Sequence, residues 1–492
     1  MSEQLGADAA KRERRQLDRF LIQGLAWTAA AKWISQIFSW AATIAVARLL
    51  VPEDYGIVAM AGVFCGLVGV LNEFGLGAAV VAIRQLTQDE IARIHSLACA
   101  FGGGAFVLSA IVALPAGWVF GLQEVPLVVV ALGAGFVIAA LRSVPSALLE
   151  KELRFRFLAL QEGFQSIVSV LVTLSLAWWG CRYWSLVAGG LAGNVVASVI
   201  VLAAKPVPLA WPVVNSIEHV MRFSLHVLVN RVCWYAASSS DLFLAGRLLG
   251  QGAAGSYAYA SNLATIPLDK VTALASRVMP GFFSSVQTDT NAVRRYLLLV
   301  TEGVSLVTFP VGVGMTLVAD DLVWFVLGKK WEGVIGPLQI LASWSVVRSV
   351  SGLVVPILYV TGGSRVAMVS GLLSMALFPI AFWIGSAWGA LGLAITWLFV
   401  GPLSLVLPYW HVFRAIQLTA GPYLRSMSHA ICGVVLMSTA VCVIRLSVPD
   451  ECSLPVRLMA EVTTGAAVYL LLAATVYRQR IGQLIAHFQT AS

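Results

Sequence analysis

The chain has 492 residues, of which 59% are hydrophobic and only 11% are charged. Because a soluble globular domain carries about a quarter charged residues, this composition excludes an ordinary soluble protein and predicts a chain that spans a membrane many times. The formal net charge of +8 comes from basic residues scattered between apolar segments, so we expect no nucleic acid as a partner.

Apolar segments follow one another along the chain, and each is long enough to cross a hydrocarbon core, which takes roughly 20 helical residues. Because backbone amides in lipid must bond within the segment, runs that are continuously apolar favour helices over barrel strands. The predicted fold class is therefore an all-α polytopic membrane protein of about 14 transmembrane helices. The predicted spans are residues 20–47, 56–82, 95–119, 125–147, 158–180, 183–204, 219–247, 253–283, 296–318, 334–360, 366–385, 388–410, 425–446 and 457–477.

Lys and Arg are concentrated in alternate connections between these spans, beginning with the basic segment that contains Lys11, Arg12 and Arg14. Basic residues accumulate on the cytoplasmic side of membrane proteins. We therefore expect the N-terminus in the cytoplasm and, after an even number of spans, the C-terminus there as well.

A phrase near the start of the chain is repeated. ARLLVPEDYG, residues 47–56, is followed 199 positions later by GRLLGQGAAGSY, residues 246–257. This shift carries the first span onto the seventh and skips six helices, so the two copies share one orientation. The prediction is two parallel six-helix lobes, related by a pseudo-twofold axis along the membrane normal, and two further C-terminal helices. The expected domains are a cytoplasmic basic segment (1–19), an N-lobe (20–204), a cytoplasmic linker (205–218), a C-lobe (219–410), and residues 411–492 with the last two spans and a cytoplasmic tail.

Ionisable side chains occur within the predicted spans, although each costs about 2.5–3.5 kcal/mol there unless it faces protein or water. Several lie on polar stripes with helical spacing, such as Asn262, Thr265, Asp269 and Thr272 in the eighth span. We expect the stripes to line a hydrated cavity, with helix packing and interhelical pairing as the alternative. The charged residues are Lys32, Glu73, Arg142, Glu162, Arg231, Asp241, Asp269, Lys270, Arg277, Glu302 and Arg348.

Motifs for nucleotide, metal or nucleophilic chemistry are absent from the sequence, which contains no G-x-x-x-x-G-K-[ST] loop and no G-x-S-x-G elbow. We therefore expect no metal, no cofactor and no enzymatic activity. Asp320 and Asp321 are interpreted as the solvated edge of a loop and not as a metal–diphosphate site. A membrane glycan polymerase or transferase remains the alternative from a different class, although the predicted outside loops are short for a catalytic domain.

Five stretches resemble the polysaccharide transporter family, the Wzx-type oligosaccharide flippases of the MOP exporter superfamily. The resemblance covers nearly the whole chain, in the family's order. The stretches are ARLLVPEDYGIVAMAGVF (47–64), LNEFGLGAAVV (71–81), ELRFRF (152–157), LLGQGAAGSYAYASNLATIPLDKV (248–271) and LGKKWEGVIGPLQILA (327–342).

The resemblance implies a flippase in the bacterial inner membrane that moves undecaprenyl-pyrophosphate-linked oligosaccharide by alternating access. It implies a role in lipopolysaccharide or exopolysaccharide biosynthesis, coupling to a proton or sodium gradient, and glycosyltransferases and a polysaccharide polymerase as partners. An exporter of peptidoglycan precursors, or another member of the superfamily, is the closer alternative.

A pyrophosphate in a hydrated route favours cations, so the basic residues are the predicted substrate contacts and the acidic residues are predicted to couple ions or to neutralise the cations. The predicted substrate-binding residues are Lys32, Arg142, Arg231, Lys270, Arg277 and Arg348. The predicted ion-coupling residues are Glu73, Glu162, Asp241, Asp269 and Glu302.

Overall fold

A computed structural model describes residues 41–72, 80, 86–152, 154–210, 231–285, 289–448 and 452–477. All regular elements within these ranges are helical. The first half contains α1 (41–49), α2 (Pro52–Asn72), α3 (Gln88–Phe120), α4 (Glu124–Lys151), α5 (Phe155–Trp178) and α6 (Tyr183–Ala204). The second half contains α7 (231–238), α8 (Ser240–Leu244), α9 (Gln251–Ser285), α10 (Thr290–Val326), α11 (Ile335–Ser351), α12 (Val354–Val360), α13 (Ser364–Gly385), α14 (Gly389–Ala415), α15 (Ala420–Ser426), α16 (Ser428–Ser447) and α17 (Leu454–Thr475).

The predicted class of an all-α polytopic membrane protein is confirmed. Ten segments of the described chain are long and apolar enough to cross a membrane. The last two of them are α16 and α17. Residues 20–40 of the predicted first span and 219–230 of the predicted seventh lie outside the described residues, so the total of fourteen stays a prediction.

Two predicted spans are interrupted in the described residues, and both interruptions lie beside a cavity. The span predicted at 219–247 contains a turn at Ser239, and its end, Ala245–Leu249, is a π-helical segment. The span predicted at 334–360 is broken at Gly352 and Leu353, between α11 and α12. In a continuous helix the ring of Pro356 would clash with the carbonyl of the residue four positions earlier, which is Gly352.

The described residues fall into two compact units. The N-terminal unit is drawn from Met1–Leu50, Asn72–Pro115 and Pro126–Glu218, and the C-terminal unit from Val51–Leu71, Ala116–Val125 and His219–Ser492. Helix α2 and the end of α3 thus group with the second half of the chain. The lobe boundaries at 20–204 and 219–410 stay a prediction.

In the N-terminal unit α5 packs closely on α6 through two glycines. A Cβ atom on Gly189 would lie 1.8 Å from Thr173 Oγ1, and one on Gly193 would lie 2.9 Å from Ser169 Cβ. Ser169 and Thr173 lie four positions apart on one face of α5, and here they serve helix packing, because small side chains allow the two backbones to approach.

In the C-terminal unit α16 and α17 pack against α10. Buried side chains from all three helices, including Leu297, Met437 and Tyr469, belong to one apolar cluster. The hydroxyl of Tyr469 donates a 2.7 Å hydrogen bond to the carbonyl oxygen of Leu306 on α10. The last two helices are therefore an integral part of this unit.

Asp320 and Asp321 do not form the edge of a solvated loop, so that interpretation was wrong. Both lie inside α10, which continues to Val326. The guanidinium of Arg457 on α17 donates two hydrogen bonds to the buried carboxylate of Asp321, and Arg445 on α16 donates to Asp320 at 3.0 Å. The arginines thus compensate the negative charge of acids that lie within a helix.

Both copies of the repeated phrase contain the start of a long helix at the equivalent position. Helix α2 begins at Pro52 and α9 begins at Gln251, which is the position that a shift of 199 residues predicts. The two helix starts also contact each other reciprocally. A Cβ on Gly56 would lie 1.9 Å from the Gln251 carbonyl oxygen, and one on Gly255 would lie 1.8 Å from the Pro52 carbonyl oxygen. Such an exchange of equivalent partners is what a twofold relation produces.

Candidate functional site

A cavity of about 1020 Å³ lies among the helices of the C-terminal unit. We refer to it as the main cavity. Its walls come from α2, α7, α8, α9, α11, α12, α13 and α14. Both helix interruptions line it, since Asp241 and Leu242 follow the turn in the seventh span and Gly352 and Leu353 form the break after α11. An interrupted helix leaves some backbone N–H and C=O groups without partners in the helix, and these groups can then face a cavity.

One wall of the main cavity is the polar stripe of α9. Asn262, Thr265, Asp269 and Thr272 all line the cavity, and their role in a hydrated route stays a prediction. The stripe follows from the helical period, because residues three and four apart share one face. The adjacent Lys270 points from a different face of α9 and is not among the lining residues.

Helix α11 supplies positive charge to the cavity through Arg348. Arg348 Nη2 donates hydrogen bonds to both carboxylate oxygens of Asp269, at 3.1 and 3.2 Å. The two side chains are 51% and 54% exposed, so the pair is accessible from the cavity. Arg231 on α7 is also exposed and lines the same space. Two cations and two acids named from the sequence thus meet around one cavity.

The second acid, Asp241, is held differently. Its carboxylate is 7% exposed and accepts hydrogen bonds from the Tyr257 hydroxyl and from Trp397 Nε1, each at 2.8 Å. The backbone N–H of Leu242 donates a third bond at 2.6 Å. Three donors in fixed positions offset part of the free-energy cost of burying this carboxylate.

Aromatic side chains that the sequence analysis did not single out complete the walls. Trp344 and Trp397 stack with ring centroids 5.8 Å apart, and Trp234 is 45% exposed. The hydroxyl of Tyr235 donates to the Val63 carbonyl oxygen at 3.0 Å and ties α7 to α2. Trp is common in apolar spans, so no local signal distinguishes these rings from lipid-facing ones.

The main cavity is closed where α2 and α9 begin. We call this part the closed end and define it by Pro52–Gly56 and Gln251–Gly255, whose backbones touch. Beside it the ring of Trp331 packs on Tyr55 and Tyr259, with centroids 5.2 and 4.7 Å apart. The lining residues begin just past the closed end, at Ala59 on α2 and Tyr257 on α9.

A second cavity, of about 530 Å³, lies between the first turns of α10 and the α15–α16 segment. Glu302 lines this cavity and not the main one. Its carboxylate is buried, and its Oε1 lies 3.6 Å from His429 Nδ1. Around it are Arg294, Arg295 and Arg425.

The other predicted site residues lie elsewhere. Arg142 belongs to the N-terminal unit, where its guanidinium donates to Gln165 Oε1 at 3.0 Å and to Asn194 Oδ1 at 3.2 Å. Glu162 is exposed on α5 of the same unit. Lys32, Glu73 and the side chain of Arg277 lie outside the described residues.

An all-helical membrane protein with a charged cavity enclosed by interrupted helices has the architecture of a polytopic membrane carrier. The chain belongs to the polysaccharide biosynthesis protein family, whose profile matches residues 45–336. The family resemblance found in the sequence is thereby confirmed.

Individual relatives cover most of the chain. It is 23% identical over 407 residues to "Lipopolysaccharide biosynthesis protein WzxC" of Escherichia coli (strain K12), a match of 80% of this chain and 81% of that one. It is 22% identical over 435 residues to "Teichuronic acid biosynthesis protein TuaB" of Bacillus subtilis (strain 168), covering 85% and 87%. The fold is similar to that of the solved structure "Lipid II flippase MurJ, inward closed conformation", with a TM-score of 0.71 at 14% identity over 92% of this chain and 99% of that one.

Proposed function

We propose that this protein is a flippase that moves undecaprenyl-pyrophosphate-linked oligosaccharide repeat units across the bacterial inner membrane by alternating access. It acts as a transporter and not as an enzyme, and it serves surface or exopolysaccharide biosynthesis. The observation that supports the proposal is the main cavity, which Arg231 and Arg348 line, in a membrane protein of the polysaccharide biosynthesis family.

The cavity suits the chemistry of a lipid-linked sugar. An arginine guanidinium matches the oxygens of a phosphate in geometry and charge. Aromatic faces such as that of Trp234 offer apolar surface to the C–H face of a sugar ring, while Asn262 and Thr265 offer hydrogen bonds. The polyprenyl chain is apolar and stays in the bilayer during the movement of the headgroup.

The Arg348–Asp269 pair suggests how the substrate is coupled to an ion. A pyrophosphate competes with Asp269 for the guanidinium, since both are anions that bind it in a bidentate manner. Asp269 is then an unneutralised carboxylate beside a polyanion, and a proton or sodium ion relieves the repulsion. Asp241 is the second coupling residue in this scheme, whereas Lys32, Arg142, Arg277 and the remaining acids stay predicted contacts.

We place both termini in the cytoplasm. In that orientation α2 and α9 begin on the periplasmic side, so the closed end faces the periplasm and the main cavity receives substrate from the cytoplasmic leaflet. Transport requires the contact between Pro52–Gly56 and Gln251–Gly255 to separate. Glycosyltransferases and a polysaccharide polymerase are the expected partners, because they make and consume the lipid-linked units.

The test replaces the two cavity arginines in cells that lack the native gene. Arg231→Ala combined with Arg348→Ala should abolish surface polysaccharide at normal protein levels. Arg93→Ala is the matched control, because Arg93 pairs with Asp89 at the exposed start of α3. Export at the wild-type rate by the double variant would refute the proposal.

Two alternatives give different results in purified systems. A glycan polymerase or transferase predicts a longer or newly joined glycan in detergent, where no leaflets exist. An exporter of peptidoglycan precursors predicts that the chain rescues loss of the cell-wall flippase. Membership of the polysaccharide biosynthesis family favours the oligosaccharide substrate over the cell-wall precursor.

A further inference from the structure

The second cavity collects three arginines that the main cavity does not use. Arg294 and Arg295 come from the first turns of α10, and Arg425 comes from α15. Like charges around one space repel each other, by about 1 kcal/mol for a pair 4 Å apart even in bulk water. An anion inside the cavity would remove that repulsion and accept hydrogen bonds from guanidinium forks.

The carboxylate already present does not fill this role. Glu302 is 2% exposed, lies on the cavity wall, and is in contact range of His429. Among the residues that line this cavity it is the one acid against three arginines. The remaining space of about 530 Å³ is thus positively charged and large enough for one or two phosphate groups.

The surroundings point to a lipid and not to a soluble anion. Leu298 and Leu299 of α10 line the same cavity beyond the arginines. On α16, Leu436 lies seven positions after the lining residue His429 and therefore on the same helical face, and it is 51% exposed. Charged groups followed along a helix by apolar surface match a lipid headgroup followed by its chain.

We propose that the second cavity binds the phosphate headgroup of a membrane lipid at the cytoplasmic surface. Two lipids share this chemistry: an anionic phospholipid and the polyprenyl pyrophosphate of the proposed substrate. If it is the latter, the site rests on the proposed function and serves as a docking position outside the main cavity. Arg425 and Arg295 hold the phosphate, and Leu298 contacts the first part of the chain.

The experiment measures lipid retention by the purified full-length protein with native mass spectrometry. The probes are phosphatidylglycerol and undecaprenyl pyrophosphate, each added separately against a phosphatidylcholine background. The variant is Arg295→Gln combined with Arg425→Gln, which leaves the contact between Arg294 and the Gln417 carbonyl oxygen intact. The matched control is Arg365→Gln, an exposed arginine at the start of α13 that does not line the cavity.

We expect the double variant to retain at least about tenfold less lipid than the wild type, because charge-assisted hydrogen bonds to the phosphate are lost. Lipid retention by Arg365→Gln should be unchanged. Loss for both lipids identifies a general anionic-lipid site, and loss for the pyrophosphate alone identifies a docking site for substrate. Equal retention of both lipids by the double variant and the wild type overturns the proposal. Thermal unfolding of each variant shows that a loss does not come from misfolding.

This readout is independent of transport. If Arg231→Ala with Arg348→Ala exports normally while the second-cavity variant loses lipid, the proposed function fails and the lipid site stands. If Arg231→Ala with Arg348→Ala loses export while Arg295→Gln with Arg425→Gln retains both lipids, the proposed function stands and the lipid site fails.

Discussion

The pair formed by Arg457 and Asp321 should control how firmly α17 is attached to α10. Asp321 is 1% exposed, and the Arg457 side chain is 22% exposed. Arg457 Nε donates to Oδ2 at 2.6 Å, and its Nη2 donates to Oδ1. Arg457→Ala leaves a buried carboxylate without its cation, which destabilises a protein by about 3–5 kcal/mol.

A double-mutant cycle separates the contribution of the ion pair to the free energy of unfolding from the effect of losing one side chain. Arg457→Met combined with Asp321→Leu removes both charges and fills a similar volume. This double variant should therefore lie within about 1–2 kcal/mol of the wild type, or be more stable. Arg93→Ala, which breaks an exposed pair with Asp89, should change stability by no more than about 0.5 kcal/mol.

The assay is equilibrium unfolding in mixed micelles, followed by tryptophan fluorescence. A loss below about 1 kcal/mol for Arg457→Ala, or a loss equal to that of Arg93→Ala, would refute a buried ion pair at this position. It would mean that water reaches Asp321 and that packing alone attaches α17.

Three further predictions concern the closed end, the buried carboxylate of Asp241, and the ion pair between Glu152 and Lys205. In Gly255→Val the new side chain would clash with the Pro52 carbonyl oxygen and force the closed end apart. A membrane-impermeant thiol reagent should therefore label Ala59→Cys from outside faster in this background. Unchanged labelling would argue against closure there. Trp397→Phe removes one hydrogen-bond donor to the Asp241 carboxylate. It should lower the free energy of unfolding by about 1–3 kcal/mol, which a chemical denaturation series measures. The hydrogen bond from Lys205 lowers the pKa of Glu152. The stabilisation from this pair is therefore present above the ordinary carboxyl pKa and is lost as the pH falls through the lowered pKa of Glu152. The free energies of unfolding of Glu152→Gln and the wild type should converge in acid, and a difference that is constant with pH would contradict the pairing.

The positions of most spans could be predicted because hydropathy is a local property. The span predicted at 183–204 coincides with α6, and the predicted turn between two spans appears as the 3₁₀ segment Ser386–Trp388. The polar face of α9 could also be predicted, because Asn262, Thr265 and Asp269 are related by helical spacing alone. Each of these features depends on residues within a few turns of one another.

The interruptions and the ends of helices were harder to predict. The adjacent acids Asp320 and Asp321 indicated a loop, yet both lie in α10, where they pair with arginines from α16 and α17. The break at Gly352 lies inside a stretch predicted as a single span, and Pro356 was its local signal. A charge or a proline is interpreted correctly only when its neighbours in space are known.

The sequence by itself determined that this protein is helical, crosses a membrane many times and carries a repeated pair of helix starts, since each depends on composition, period or self-similarity. Tertiary structure alone decided which ionisable groups meet. Trp397 donates to Asp241 from 156 positions away, and Arg348 reaches Asp269 across 79. Lys270, adjacent to Asp269 in sequence, does not line the main cavity. Electrostatic and hydrogen-bond energies depend on distances in space, and a linear pattern sets those distances only within a single helix.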